Sequence, residues 1–272
     1  MSSELDCILP VAGYGSRFLP ITKTVPKELL PILSKPLIQY SIEESLASGT
    51  NNFIIITSKE KKAIQHYLSP IDGEANKKIT QNNLVKDLEL IISSSDFKFI
   101  EQEKMLGLGH AIYLAKGFVK KAFSVILPDD FCITNTSAVI AQMKEIHKRN
   151  PEYCIVAVEE VSYEDVEKYG IVEGSRFGEQ DNLLLVKNIV EKPKKQNAKS
   201  NLAVIGRYIL TQEIFCELEA TEPGAGGEIQ ITDALSKIAK KGKVLAYKFD
   251  GKRIDCGTMK GFVEANNLMS NI

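Results

Sequence analysis

Apolar residues in this chain fall into short unbroken runs, separated by stretches in which they recur at helical spacing. Residues 6–11 form a first run of the kind buried on both faces of a parallel sheet. Prolines at positions 20, 26 and 31 keep the following loop from turning directly into a helix. A helix is predicted to start at Pro36 and end before Gly49, with Ile38, Ile42 and Leu46 on one face. A buried strand over residues 52–57 and a polar helix over 60–68 come next, the order of a parallel strand–helix–strand unit.

Residues 72–89 are polar and read as a partly helical surface insertion. Further strands are expected at 98–101, 123–127 and 154–158, with helices over 111–121 and around Val139, Ile140, Met143 and Ile146. The pattern then changes: residues 169–173, 183–191 and 202–210 read as strands with only short helical pieces between them. A helix over 227–240, a strand over 244–249 and a terminal helix complete the chain. An alternating first half and a strand-rich second half fit one α/β domain around a mixed sheet.

Composition narrows the function classes. The chain of 272 residues has 34 Lys and Arg against 35 Asp and Glu, so no whole-molecule field favours nucleic acid or an anionic membrane. No apolar run approaches the roughly 20 residues that span a bilayer, and MSSELD does not start a signal peptide. Cys7, Cys132, Cys154, Cys216 and Cys256 are scattered, which suits reduced thiols in the cytoplasm better than zinc or disulfides.

The candidate chemistry begins in residues 9–28, LPVAGYGSRFLPITKTVPKE. Gly13 and Gly15 let backbone N–H groups approach an anion, while Arg17 and Lys27 supply cations. A dinucleotide fingerprint needs a third glycine where Phe18 stands and a helix where Pro20 stands, and no Walker A pattern is present. On these residues alone the stretch is either a looser triphosphate loop or a plain turn with surface cations. Asp129 and Asp130 follow the strand at 123–127, where ligands meet α/β sheets, and read as a Mg²⁺ ligand or a polar turn. Asp255 follows one predicted strand and the Glu191–Lys192 pair ends another; taken alone, the first reads as an ordinary turn aspartate and the second as a common surface pair. His66, His110 and His147 have no clustered partners, and no Gly-x-Ser-x-Gly elbow occurs.

Taken together, PVAGYGSRFLPITKTVPKELLPILSKPLIQY, GLGHAI, VILPDD, YGIVE, VEKP, SNLAVIGRYIL, PGAGGEIQITDAL and DCGT carry a more specific signal. In this order, over nearly the whole chain, they resemble the sugar-nucleotidyltransferases, and more narrowly the bacterial UTP–glucose-1-phosphate uridylyltransferases. The resemblance implies a GT-A-like, Rossmann-like α/β/α sandwich with a mixed, mainly parallel sheet. It implies one domain, with a nucleotide-binding part over about 1–135, a sugar-phosphate part over about 136–257 and a C-terminal helix over about 258–272.

The implied reaction joins UTP and glucose 1-phosphate to give UDP-glucose and pyrophosphate, with Mg²⁺ as cofactor. Position by position, Ala12, Gly13, Gln102 and Gly107 would hold uracil and ribose, with Glu28 near the base and Gly15 in the same loop. Arg17 and Lys27 would hold the triphosphate, and Asp129, with Asp255, the metal. Gly170, Glu191, Lys192, Val204 and Gly206 would form the sugar-phosphate pocket. Ser16 stands where the family often has threonine, a hydroxyl-for-hydroxyl exchange. A homo-oligomer, dimer or tetramer, is also implied. The competing readings are a relative using dTTP or another sugar phosphate, and a weakly active paralogue that regulates a partner.

Overall fold

The computed structural model describes residues 5–71, 82–224 and 227–271. Its first strand, β1 (Asp6–Pro10), leads into three single turns of 3₁₀ helix and the short strands β2 (Pro31–Ile32) and β3 (Lys35–Pro36). Helix α1 (Leu37–Ala47), strand β4 (Asn52–Thr57), helices α2 (Lys62–Tyr67) and α3 (Asn83–Ser93), and strand β5 (Asp96–Glu101) follow. Then come α4 (Leu108–Tyr113), β6 (Phe123–Ile126), β7 (Asp130–Ile133), α5 (Val139–Arg149), β8 (Cys154–Glu160), β9 (Gly170–Arg176) and β10 (Leu183–Glu191). The chain closes with β11 (Leu202–Leu210), α6 (Glu213–Glu219), α7 (Ile231–Lys240), β12 (Val244–Lys248), β13 (Lys252–Asp255) and α8 (Met259–Met269).

Nine strands form one sheet in the order β5-β4-β1-β6-β11-β8-β12-β10-β9. The pairings set β1, β4, β5, β6, β8, β9 and β12 in one direction, with β10 and β11 running against them. The sheet is therefore mixed: its β5-β4-β1-β6 half is parallel as expected, but β10 and β11 pair antiparallel with every neighbour, so the sheet as a whole is not mainly parallel. Side chains along each strand alternate between two cores. Ile8, Ile54, Ile56, Phe123 and Val125 face α4, α6 and α7, whereas Cys7, Leu9, Phe53, Ile55 and Ile126 face α1, α2, α3 and α5. That period of two explains why β1, β4 and β6 read as continuous apolar runs: both faces are covered. A smaller core of Ile32, Leu37, Phe131, Ile254, Cys256 and Ala265 seats α8 against the β7–β13 pair.

The structure departs from the sequence pattern in two helices. The expected helix at 111–121 is α4, which starts at Leu108 and ends at Tyr113; the chain past Gly117 must turn to enter β6. The expected helix at 227–240 begins only at Ile231. Before it, Gly227 has φ +75°, and the Ile229 N–H donates to Leu106 O while its carbonyl accepts from Gly109 N. Those bonds claim the backbone groups that a helical turn would use. Most of the polar stretch at 72–89 lies outside the described residues, and its remainder enters α3.

One buried ion pair ties the layers beside the strand ends. Arg207 on β11 donates to both carboxylate oxygens of Glu44 on α1 (2.9–3.1 Å) and to the carbonyls of Leu127 and Gly206. Glu44 also accepts from the N–H of Ile140 at the start of α5 (3.2 Å). A Glu44→Ala variant leaves the guanidinium buried without its carboxylate and is expected to lose about 3 kcal/mol of unfolding free energy. Urea unfolding of the two proteins measures the difference.

Candidate active site

The strands β1 and β6 stop side by side, and everything chemically notable hangs from their ends. Arg17 and Lys27 come from the loop after β1, where Phe18 is buried edge-on against Phe262 of α8 (5.9 Å between ring centres). The residue that spoils the dinucleotide pattern thus anchors the loop. Thr22 Oγ1 donates to Gly15 O (2.8 Å) across the turn that Gly15, at φ +65°, makes possible. A turn of 3₁₀ helix, Lys27–Leu29, then delivers Lys27 Nζ to Asp129 Oδ2 at 2.5 Å. Arg17 Nη1 lies 3.5 Å from Gly257 O.

Asp129 and Asp130 part company here. Asp130 starts β7 and is buried; one carboxylate oxygen accepts from Gly206 N (2.7 Å) and the other from Arg253 Nε (2.5 Å). Its acceptor positions go to holding β7, β11 and β13 together. Asp129 instead faces the cleft. Antiparallel pairing of β7 with β13 sets Asp255 opposite Asp130, and Cys256 N donates to Asp129 O (2.7 Å). A Cβ on Gly257 would sit 3.0 Å from both Asp129 Oδ2 and Asp255 Oδ1. Two carboxylates thus look across a space that exists because residue 257 has no side chain.

Electrostatics at this point favour an added cation. Burial and the neighbouring Asp130 carboxylate push the Asp255 carboxyl above the usual range, and Asp129 adds to the effect. For Asp129 burial acts in the same direction, but the charge and hydrogen bond of Lys27 outweigh it and hold the group below the ordinary value. Burial likewise opposes the Lys27 ammonium, and Asp129 with Glu28 more than restores it. Among the described residues no group of three or more His, Cys, Asp or Glu side chains could hold a metal. A pair of carboxylates completed by phosphate oxygens is the donor set that Mg²⁺ commonly takes, so Asp129 and Asp255 fit such an ion.

The second half of the sheet closes the cleft from the other side. β9 pairs along its length with β10 and also touches β11, through Ala203 opposite Ile171. Gly170 is thereby set opposite Glu191 and brought toward Val204 and Gly206. The register of β11 against β8 shifts between Val204 and Tyr208, and Gly206 lies in that irregularity. A Cβ there would come within 2.5 Å of Leu127 Cβ, so glycine alone fits. Glu191 Oε2 accepts from Thr232 Oγ1 (2.9 Å). Lys192 adopts φ +45°, a conformation that costs a non-glycine residue about 1 kcal/mol or more. Its N–H donates to Tyr169 O (2.9 Å), and its half-exposed side chain lies 3.4 Å from Glu191 Oε1.

A single cleft of about 840 Å³ is lined by Arg17, Asp129, Gly170, Glu191, Lys192, Val204, Gly206 and Asp255 together. The remaining expected residues form a second cluster at the ends of β1, β4 and β5. Ala12 follows Val11, whose N–H donates to Ile56 O, and Gln102 N donates to Thr57 O. Gln102 Nε2 reaches Gly107 O (3.2 Å) and His110 Nδ1 (2.9 Å). Glu28 is 1% exposed and bound by Lys61 (2.7 Å), and a Cβ on Gly13 would meet nothing within 4 Å. A separate cavity of about 340 Å³ is lined by Pro128, but its charged groups Glu43, Glu44 and Arg207 are already paired, Glu43 with Lys35 and Glu44 with Arg207.

Residue-by-residue reading missed Arg253 and Lys61. Arg253 joins Asp130, Glu159 (3.0 Å) and the Tyr169 hydroxyl (3.1 Å). Its place two residues before Asp255 was the available signal. Lys61 sat in a polar helix and gave none.

A site of this kind, with cations and facing carboxylates on one side and a Glu–Lys pair on the other, suits two phosphorylated ligands. The nucleotidyl transferase family model matches residues 7–271, and the chain belongs to that family. It is 45% identical to a UTP–glucose-1-phosphate uridylyltransferase of Pseudomonas aeruginosa PAO1, over 96% of this chain and 94% of the relative. The enzyme of that name from Bacillus subtilis 168 is 42% identical, over 97% and 91%. A solved structure of UDP-glucose pyrophosphorylase complexed with UDP-glucose superposes with a TM-score of 0.92 at 43% identity, covering 98% of this chain and 99% of the other.

The gap above Gly257 makes a direct prediction. Gly257→Ala places a methyl group against both facing carboxylates and is expected to weaken divalent-cation binding by about tenfold or more. Calorimetric titration with Mg²⁺ in the presence of nucleotide measures it; unchanged affinity would refute the assignment of that space.

Proposed function

We propose that the chain transfers the uridylyl group of UTP to α-D-glucose 1-phosphate, giving UDP-glucose and pyrophosphate. The observation that carries this reading is the single cleft shared by Arg17, Asp129, Asp255, Glu191 and Lys192, in a chain of the nucleotidyl transferase family. Ala12, Gly13, Gln102 and Gly107 take uracil and ribose, beside Glu28 and the Gly15 turn. Arg17 and Lys27 bind the triphosphate. Gly170, Glu191, Val204 and Gly206 receive the sugar, and Lys192 its phosphate. The parts of the domain before and after about residue 135 divide along the same line.

The sugar phosphate is already an anion, so the reaction asks for no strong base. One of its oxygens must approach the α-phosphorus of UTP in line with the departing pyrophosphate. Two anions repel each other on that path, and positioning with charge neutralisation lowers the barrier. Arg17 and Lys27 draw charge from the triphosphate, while Lys192 holds the attacking phosphate in place. Mg²⁺, held by Asp129 and Asp255, would add charge neutralisation and a shared anchor for phosphate oxygens.

The five cysteines are free thiols, in keeping with the cytoplasm, and no helix among the described residues is long and apolar enough to cross a membrane. A homo-oligomer, dimer or tetramer, belongs to the same reading.

Pyrophosphate release across a panel of UTP, dTTP and other nucleotides with several sugar 1-phosphates, with and without Mg²⁺, tests the proposal. UTP with glucose 1-phosphate and Mg²⁺ is expected to be fastest. Asp129→Asn and Lys27→Ala are each expected to lower that rate by about two orders of magnitude or more while remaining folded. A preference for dTTP, or full activity of either variant, would overturn it.

A further inference from the structure

The Lys61 ammonium is buried at the back of the nucleotide cluster, where the expected reaction assigns it no task. It sits at the end of the 3₁₀ turn Lys59–Lys61 that follows β4. Only 7% of the residue is exposed. Nζ donates to Val11 O (2.7 Å) and to Glu28 Oε2 (2.7 Å). These two acceptors flank the phosphate loop, residues 12–27, on either side. One ammonium therefore ties both ends of the loop to the strand layer, and closing a long loop at its base spares the chain much of its entropy on binding.

The partner carboxylate has an unusual feature. Glu28 Oε1 is buried and accepts no hydrogen bond from any described group. Leaving a buried acceptor unpaired costs about 1–3 kcal/mol. Burial pushes the Glu28 carboxyl above its ordinary range, and Lys61, bound to the other oxygen, offsets part of that cost. Glu28 also adjoins Lys27 in sequence, and Lys27 grips Asp129.

We propose that Lys61 is a positioning residue for the nucleotide: anchored on Val11 O, it fixes Glu28 through Oε2, so that Oε1 is the acceptor left for a hydrogen-bond donor of the bound nucleotide. The donor is an imide N–H or a ribose hydroxyl, both on the nucleoside rather than the triphosphate. Lys61 touches neither phosphate nor sugar phosphate and acts through Glu28. This inference rests on the uridylyltransfer reading.

A double-mutant cycle on the full chain tests it, using Lys61→Met, Glu28→Gln and the pair. UMP, which has base and ribose but no triphosphate, is titrated calorimetrically, and KM and kcat are measured for both substrates. Lys61→Met is expected to weaken UMP binding and raise the UTP KM by roughly tenfold, with the glucose 1-phosphate KM within about threefold. In the Glu28→Gln background the same change is expected to matter by less than about threefold, because its target is gone. Should Lys61→Met yield too little folded protein, Lys61→Gln serves in the same cycle. Comparing UTP with CTP and with 2′-deoxy-UTP separates the two donors: loss of discrimination in Lys61→Met identifies which one Glu28 reads. Equal effects in both backgrounds, or wild-type UMP affinity in Lys61→Met, would overturn the proposal. A wild-type protein inert toward UTP would instead overturn the reading beneath it.

Discussion

The contact between Lys27 and Asp129 joins the long first loop to the end of the central strand, and the geometry of the cleft depends on it. Without that contact, a carboxylate and an ammonium would each sit partly buried without compensation, which is more costly than leaving both in water. With it, the loop after β1 is closed against β6 before any ligand arrives. Phe18 against Phe262 and Lys61 between Val11 and Glu28 fasten the same loop at other points. The loop is therefore built into three parts of the fold: the strand ends, the 3₁₀ turn after β4, and the C-terminal helix.

Around that contact, charges are sorted by what they must do. Asp130 and Arg253 are turned inward and satisfied by Gly206, Glu159 and Tyr169. They set the distance between β7, β11 and β13. Asp129 and Asp255 keep their oxygens toward the space above Gly257. Adjacent aspartates, chemically identical, thus receive different work from the register of one two-stranded pair. Such sorting is how a sheet can gather several carboxylates at one edge without the repulsion that would disperse them.

Much of the fold was legible because both sheet faces are covered, so β1, β4, β6, β8 and β11 are apolar runs that read as buried strands. The helical faces of α1 and α5 were equally plain. What escaped was decided by backbone pairing rather than side-chain pattern. The short strands β2, β3, β7 and β13 have no periodicity of their own, and the stretch before Ile231 is held out of the helix by bonds to Leu106 and Gly109. Site residues with a motif around them, such as Arg17, Lys27, Asp129 and the Glu191–Lys192 pair, could be singled out in advance. Residue chemistry alone left Asp129 and Asp130 equivalent; the family resemblance favoured Asp129, and the pairing of β7 with β13 gives the two different surroundings. Lys61 is a lysine among lysines until its two buried acceptors are seen.

The central claim is that charge neutralisation and alignment carry the reaction, with no side chain attacking phosphorus. The stereochemical course at the α-phosphorus tests this most directly. One diastereomer of UTP bearing sulfur on the α-phosphorus is turned over with glucose 1-phosphate, and the configuration of the product is read by phosphorus NMR. A single in-line displacement predicts inversion; retention would require a covalent intermediate on the protein and would contradict the account.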